Sequence, residues 1–468
     1  MPVDGATGVR YNSRMSIQGA KEIWQAGVAA VNSAEAVRRH VTIDGSSLVV
    51  GGVRCDLNQI GRIEVVGAGK AGAGMAAGLE TALLSHVDEH RVSGWVNVPA
   101  DCVRPLRKIH LHAARPAGLN EPTEQGVEGT REILRRVQSL APNDVCIVLL
   151  SGGASALLCS PVPEITLADK LAVTRALAGD GAPIQELNLV RTQLSQVKGG
   201  RLAAACGAAR LVGLVISDVV GDPLDIIGSG PTTASPSGAK LAIKILSDRG
   251  LLSKIPERVL TFLKSRCDDG SSIATTACEV TNTIVGSNRI ALQAAAEKAI
   301  QLGYEVQSLG SEQMGDAAAE GRDMFRRLMS LRDASRGTTR RICLLSGGEP
   351  TVNLNAGKSS SSTTLPCPGK GGRNQELVLA AVQAWPNTDA WQGLTLLSGG
   401  TDGEDGPNNA AGAMADASLI ERMKQQQLNP DEYLATHNSW LFFDQLNSLL
   451  VTGPTHTNVM DLRAGLVQ

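Results

Sequence analysis

VVGAGKAG, Val65–Gly72, closes a strand, RIEVVGAG, and leads into the Ala-rich stretch Ala71–Val87. Strand, glycine turn and helix in that order open a βαβ unit, the repeating piece of a parallel sheet covered by helices. The same order recurs along the chain, and the runs RIEVVGAG, VCIVLLSGG, RLVGLVISD, NTIVGSN, YEVQSLG, RICLLSGG and LTLLSGG all read as strands alternating with Ala-rich helical stretches. The fold class expected is α/β. A turn-rich segment, Ser229–Lys240, ends the first group of units. The expected division is therefore a first domain over 1–240, a helical connector over 241–279 that can pack on either lobe, and a second α/β domain over 280–468.

Composition supports this architecture and narrows the partners. The 468 residues, 43% hydrophobic, suffice for two or three cores. Aromatic content of 3% beside 51 glycines suits helix-on-sheet packing with tight turns. A formal charge of −2, scattered along the chain, gives no basic surface to draw nucleic acid or anionic lipid, so small-molecule ligands are expected. The nine cysteines are odd in number and never paired as CxxC, so they read as reduced thiols. Without an apolar leader or a run near the ~20 residues that span a bilayer, a cytoplasmic protein is expected, with homo-oligomer formation left open.

The word LLSGG occurs three times, at Leu149–Gly153, Leu344–Gly348 and Leu396–Gly400, always after apolar residues. In a parallel α/β sheet the ligand crevice lies at the carboxyl ends of the strands. Glycines there let a backbone approach a ligand, and the N–H groups that open the next helix can face an anion. In the first turn, Gly67, Gly69 and Gly72 make the spacing GxGxxG of a dinucleotide site, yet Lys70 stands inside it and RVSGWVNV carries no acid at its end for a ribose hydroxyl. A compact ammonium there suits an anionic substrate or a transferring phosphoryl group.

Carboxylates gather in ISDVVGDP, with Asp218 and Asp222, and in SGGTDGEDGP, with Asp402 and Asp405. Either pair suits Mg²⁺, which takes one or two carboxylates plus phosphate oxygens and water; Asx turns explain the same residues without a metal. HLH, His110–His112, fits strand alternation as well as a metal, so zinc is not expected. VRTQLSQVKGGRLA puts Arg191 and Lys198 two turns apart on one face if helical. The polar loop Gly357–Arg373 reads as mobile and ends at Arg373, whose fork suits a carboxylate. Glycine cradles, aspartates, Lys and Arg, with no Ser-His or Cys-His pairing, describe phosphoryl transfer, where catalysis is mostly positioning and electrostatics.

GAGKAGAGMA, LLSGGASALL, LVRTQLSQVKGGRLA, ISDVVGDPLDIIGSGPT, VGSN, LLSGGEPTV, GKGGRNQELVLA, SGGTDGEDGPNNAAGA and TGPTHTNVMDL, in this order, resemble the glycerate 2-kinases, whose carboxyl-terminal half is the MOFRL domain. The resemblance implies a two-lobed α/β protein with a Rossmann-like amino-terminal domain, a smaller carboxyl-terminal one and the active site in a cleft between them. It implies ATP-dependent phosphorylation of the 2-hydroxyl of D-glycerate with Mg²⁺. Lys70 and Arg373 are then the central residues, with Asp218 and Asp402 beside them. ATP is expected on Gly67, Gly69, Ser151, Gly152, Gly153, Ser155, Lys198, Ser346, Gly347, Gly348, Glu349 and Asn374, and the metal on Asp218, Asp222, Asp402 and Asp405. Four departures are visible: Ala154 where the family often has glycine, narrowing phosphate approach; Gln193 where many members have histidine; His456 where glycine is frequent; and a loop over 357–368 longer than the resemblance implies. The competing readings are an NAD(P)H-dependent hydroxypyruvate reductase using the GAGKAG turn, and a non-catalytic sensor of sugar acids, which would not need Lys70, Asp218, Arg373 and Asp402 together.

Overall fold

The computed structural model describes residues 13–234, 238–267, 277–354 and 369–468. The chain forms two compact α/β units. The first spans Val31–Ser287 together with His456–Asn458, and the second combines the residues up to Ala30 with Asn288–Thr455 and Val459–Gln468.

The first unit is built on a six-stranded, wholly parallel sheet. Across it the strands run Ile109–Arg115, Val92–Pro99, Ile63–Ala68, Val145–Leu150, Arg210–Ile216 and Glu279–Gly286. Two strands step outward from Ile63–Ala68, and the chain then returns to its other side and steps outward again through three more. This is the doubly wound order, with its switch point between Ile63–Ala68 and Val145–Leu150, where loops diverge and leave a crevice. Both central strands are buried along their whole length; Val145–Leu150 is wholly apolar, and Glu64, the one charge in Ile63–Ala68, is paired with Arg136 at 2.8 Å. Helix Glu124–Gln138 covers one face; it starts where the Thr123 hydroxyl accepts from Gly126 N–H at 3.1 Å. A satellite core of helices Leu167–Gly179, Ile184–Gln193, Ala239–Asp248 and Glu257–Ser265 adjoins it.

The second unit carries a mixed six-stranded sheet, ordered Glu305–Ser308, Ile342–Gly348, Asp461–Val467, Leu394–Gly400, Gly412–Asp416 and Leu449–Leu450. Asp461–Val467 lies antiparallel to both neighbours, so Asp461 pairs with Gly348 on one side and Gly400 on the other. Helix Ser13–Ala30 packs on this unit, its Trp24 indole N–H donating to the Gly399 carbonyl at 3.2 Å.

Several sequence expectations change. The second unit opens at Asn288 rather than at 280, because the strand Glu279–Gly286 pairs in parallel with Arg210–Ile216 and so completes the first sheet instead of opening the second, and the residues up to Ala30 fall in the second unit instead of the first. The segment 241–267 belongs to the first unit, held by the satellite core. Only the first LLSGG is a turn into a helix; in the second and third the SGG residues are still strand. Most of the polar loop expected over Gly357–Arg373 lies outside the described residues.

Candidate active site

In the first unit the two central strands end side by side, and their turns are stitched together. Lys70 N–H donates to the Gly152 carbonyl at 2.8 Å, and Ala71 N–H donates to the Ser151 hydroxyl at 3.1 Å. Gly69, at φ 149°, is required here: a Cβ would run into Ser151. The backbone of Lys70 is thus fixed while its side chain is exposed. Gly153, at φ 81°, starts the short helix Ala154–Leu157, and the space beside its α-carbon is bounded by the Lys70 side chain and the Arg115 guanidinium. A Cβ on Gly152 would collide with the Asp218 carboxylate. Lys70, Arg115, Asp218 and the Ser151–Gly153 turn therefore meet at the carboxyl ends of four strands.

Arg115 was not singled out in the sequence. It ends its strand buried, with Nε unpartnered, and desolvation lowers its pKa. The only available signal was a basic residue closing an apolar strand. Asp222 sits on the turn after Asp218 at φ 54°. Ala154 is buried with its methyl against Gly228, so it does not narrow the exposed side of the turn. Helix Ile184–Gln193 stops before Lys198, so Arg191 and Lys198 do not share a helical face. They converge all the same, because the loop after the helix turns Lys198 back onto Ser155. His456 adopts φ 58°, a left-handed conformation that accounts for glycine being usual there, and its carbonyl accepts from the Ser33 hydroxyl.

In the second unit Arg373 opens helix Arg373–Ala384. Its Nε and Nη2 donate to Asp461 at 2.7 and 3.0 Å, and Nη1 donates to Glu349 at 3.0 Å. Asp461 is fully buried and also accepts from Asn374 Nδ2 at 2.9 Å. These carboxylates hold the Arg373 pKa above its ordinary value against the opposing desolvation. Asp461 is the principal residue that the sequence reading missed, since nothing in TNVMDL marks an acid that two glycine strand ends would flank. Asp405 is also buried, and its two oxygens accept the N–H groups of Asn374 and Gln375 at 2.9 and 2.8 Å. It therefore caps a helix, a duty distinct from the metal role expected of it. Asp402 accepts from Glu404 N–H at 3.1 Å and lies with Asp461 beside the α-carbon of Gly400.

The glycines of the second and third LLSGG serve packing: the space a Cβ would take is filled by Asn288 at Gly347, by Gln313 at Gly348, and by Trp24 and Leu450 at Gly399. Ser346 accepts from the buried Arg463 at 3.1 Å, and Ser398 donates to Asn374 Oδ1 at 2.6 Å. Their role in holding a nucleotide by bare backbone, expected from the sequence, has no support in this geometry.

Residues 19–264 match a family described only as a domain of unknown function, DUF4147, and residues 342–461 match the MOFRL family. A glycerate kinase of Danio rerio is 36% identical over 96% of this chain and 97% of its own, and the Homo sapiens glycerate kinase is 35% identical over 97% and 93%. The chain belongs to the glycerate kinase family. A solved structure of a glycerate kinase from Thermotoga maritima superposes with a TM-score of 0.80 at 30% identity, covering 97% of this chain and all of that one. A Pyrococcus horikoshii protein superposes at 0.82 with 29% identity, covering 98% and 100%. As a member of this family the chain is a kinase, and its two α/β units are those of its relatives. An Agrobacterium vitis protein, 38% identical over 87% of each chain, is provisionally named a hydroxypyruvate reductase. Among the described residues no helix is long and apolar enough to cross a membrane, and the eight described cysteines, all but Cys367, are free thiols.

Proposed function

We propose that this kinase transfers the γ-phosphoryl group of ATP to the 2-hydroxyl of D-glycerate, giving 2-phospho-D-glycerate. The observation that carries the reading is the position of Lys70: an exposed ammonium on a backbone fixed to Gly152, at the switch point of a doubly wound sheet, on the same Ser151–Gly153 turn that the Asp218 carboxylate abuts. A fixed cation there stabilises charge that develops on the transferring group without reorganising during the reaction. Asp218 is assigned to take the proton of the 2-hydroxyl as the new P–O bond forms and the bond to the β-phosphate oxygen breaks, releasing ADP. Arg373 keeps two N–H donors beyond those engaged by Asp461 and Glu349, enough to meet an anionic oxygen.

Mg²⁺ belongs with ATP in this reading, where it neutralises phosphate charge. Among the described residues no three His, Cys, Asp or Glu side chains form a cluster for a metal, but Mg²⁺ keeps several waters and phosphate oxygens and needs only one or two carboxylates. Asp402, beside the same Gly400 α-carbon as Asp461, fits that requirement, and Asp218 with Asp222, four residues on along the same loop, is a second candidate. Asp405, engaged at the helix terminus, fits poorly.

A reductase reading draws one point from the structure: the second strand extends to Pro99, and Asp101 follows it, an acid beyond the stretch that the sequence reading considered. ³¹P NMR of the product from D-glycerate, ATP and Mg²⁺ tests the kinase reading. A 2-phosphoglycerate resonance supports it; no phosphorylated product, together with quenching of NADH fluorescence by the protein, would replace it with the reductase.

A further inference from the structure

Beside the Ser151–Gly153 turn, Lys198 is buried and Arg191 half-buried around two hydroxyls, with Lys170 buried nearby. Lys198 Nζ lies 3.0 Å from Ser155 Oγ, 3.2 Å from Ser229 Oγ, and 3.1 Å from the carbonyls of both Ser155 and Gly228. Arg191 Nη2 donates to Ser155 Oγ at 2.6 Å, and its Nε is buried without a partner. Lys170, also buried, has no carboxylate or carbonyl on Nζ and lies beside the Cys159 thiol. No carboxylate forms an ion pair with any of the three among the described residues. Burial lowers the pKa of each, and for Lys198 the neighbouring Arg191 and Lys170 lower it further.

Donor and acceptor counting fixes the direction of these bonds. A guanidinium can only donate, and so can a protonated ammonium, so the Ser155 oxygen accepts from both Arg191 and Lys198. Its two lone pairs are then taken, and its own O–H must point elsewhere. Ser229, 3.1 Å away, is one recipient; Ser229 in turn donates to Asn188 Oδ1 at 3.0 Å. The other recipient is whatever enters from the half-exposed side of Ser155 and Arg191. Lys198, with four oxygens around three N–H groups and no exposure, has nothing left for a ligand.

We propose that Ser155 and Arg191 form an oxyanion subsite, with Lys198 a positioning residue that turns the Ser155 hydroxyl outward and polarises it rather than a ligand contact. The buried cations without a carboxylate supply the field that an incoming carboxylate or phosphate balances. A carboxylate of the hydroxy acid and a phosphate of the nucleotide share this chemistry. Naming either as the source rests on the kinase reading; the subsite itself does not.

The test uses the full chain and its Ser155→Ala, Arg191→Lys and Lys198→Met variants, with inorganic phosphate as the probe. Phosphate should raise the melting temperature of the wild type in a saturable way. Its apparent affinity should fall tenfold or more in all three variants, with Ser155→Ala, which loses one oxygen, melting near the wild type without phosphate. In steady state, the KM of one substrate should rise tenfold or more in Ser155→Ala while that of the other changes less than twofold: glycerate if the anion is the carboxylate, ATP if it is a phosphate. A wild type indifferent to phosphate, or a Ser155→Ala variant with wild-type phosphate affinity and both KM values unchanged, overturns the subsite. A chain inactive on glycerate whose phosphate response is lost in Ser155→Ala keeps the subsite and removes the kinase reading.

Discussion

Arg373 and Asp461 form a two-pronged ion pair, Nε and Nη2 on the two carboxylate oxygens at 2.7 and 3.0 Å, at the point where a buried strand begins between two glycine strand ends. The arginine is oriented in advance, with Asp461 and Glu349 fixing its plane. Removing Asp461 leaves Arg373 with Glu349 as its remaining carboxylate partner, which places the cost toward the lower end of the about 3–5 kcal/mol of a broken buried pair. Asp461→Ala should therefore lower stability by roughly that amount in urea unfolding. A loss under about 1 kcal/mol would show that the pair is dispensable to the fold.

The complementary change separates charge from shape. Arg373→Lys keeps the cation but cannot span both Asp461 oxygens and still present donors to a ligand. Its kcat/KM should fall about tenfold or more. Near-normal kinetics would mean that Arg373 acts only through the helix it opens.

Lys70 offers the cleaner separation of activity from stability. Its structural contact is made by the main-chain N–H, which alanine retains, and its side chain is exposed. Lys70→Ala should lose on the order of 10²-fold or more in kcat, about 3 kcal/mol of transition-state stabilisation, with an unfolding midpoint close to wild type. Half of the wild-type rate in this variant would remove Lys70 from the mechanism.

Much of this was legible because the first unit obeys local rules. The apolar run before Ser151 is long enough to be a doubly buried strand, and the glycine spacing after Val66 marks the crossing. The second unit was harder. Its SGG words look identical to the first, yet Trp24, 375 residues away, fills the gap at Gly399, and no local pattern reports a partner so distant. Asp461 was invisible for a related reason: its importance comes from pairing with Gly348 and Gly400 across two strands, a property of register alone. Helix Ser13–Ala30 misled the domain division because its partners lie beyond residue 287.

Asp405 gives a pH dependence of known sign. Burial, and then the charge of Asp461, push its carboxyl up to about 7, although the Asn374 and Gln375 N–H groups act in the opposite direction. A folded-state pKa above the unfolded value means that the folded protein binds the proton more tightly between the two. Its contribution to stability is fully present below the unfolded carboxylate range and is lost as pH rises toward 7. Asp405→Asn, which cannot titrate, should flatten the fall in unfolding free energy between pH 4 and 7. An unchanged slope would place the Asp405 pKa near its ordinary value.

Gly67 and Gly152 sit on neighbouring strand ends, and alanine at each should fail in a different way. At Gly67 the new methyl meets the main-chain carbonyl of Leu149 in the adjacent strand, which cannot move without opening the sheet. Overpacking of that kind typically costs about 1–3 kcal/mol. At Gly152 the methyl meets the end of the Asp218 side chain instead, which can rotate away, so the fold should be nearly unaffected. What Gly152→Ala displaces is the carboxylate assigned to the hydroxyl proton, and general acid–base assistance is worth about 10²–10⁴-fold. Gly67→Ala should therefore melt early, while Gly152→Ala should melt normally and turn over at least about a hundredfold more slowly. If Gly152→Ala kept its rate, Asp218 would not be the base. If instead it lost both rate and stability, the carboxylate would be a structural support of the turn.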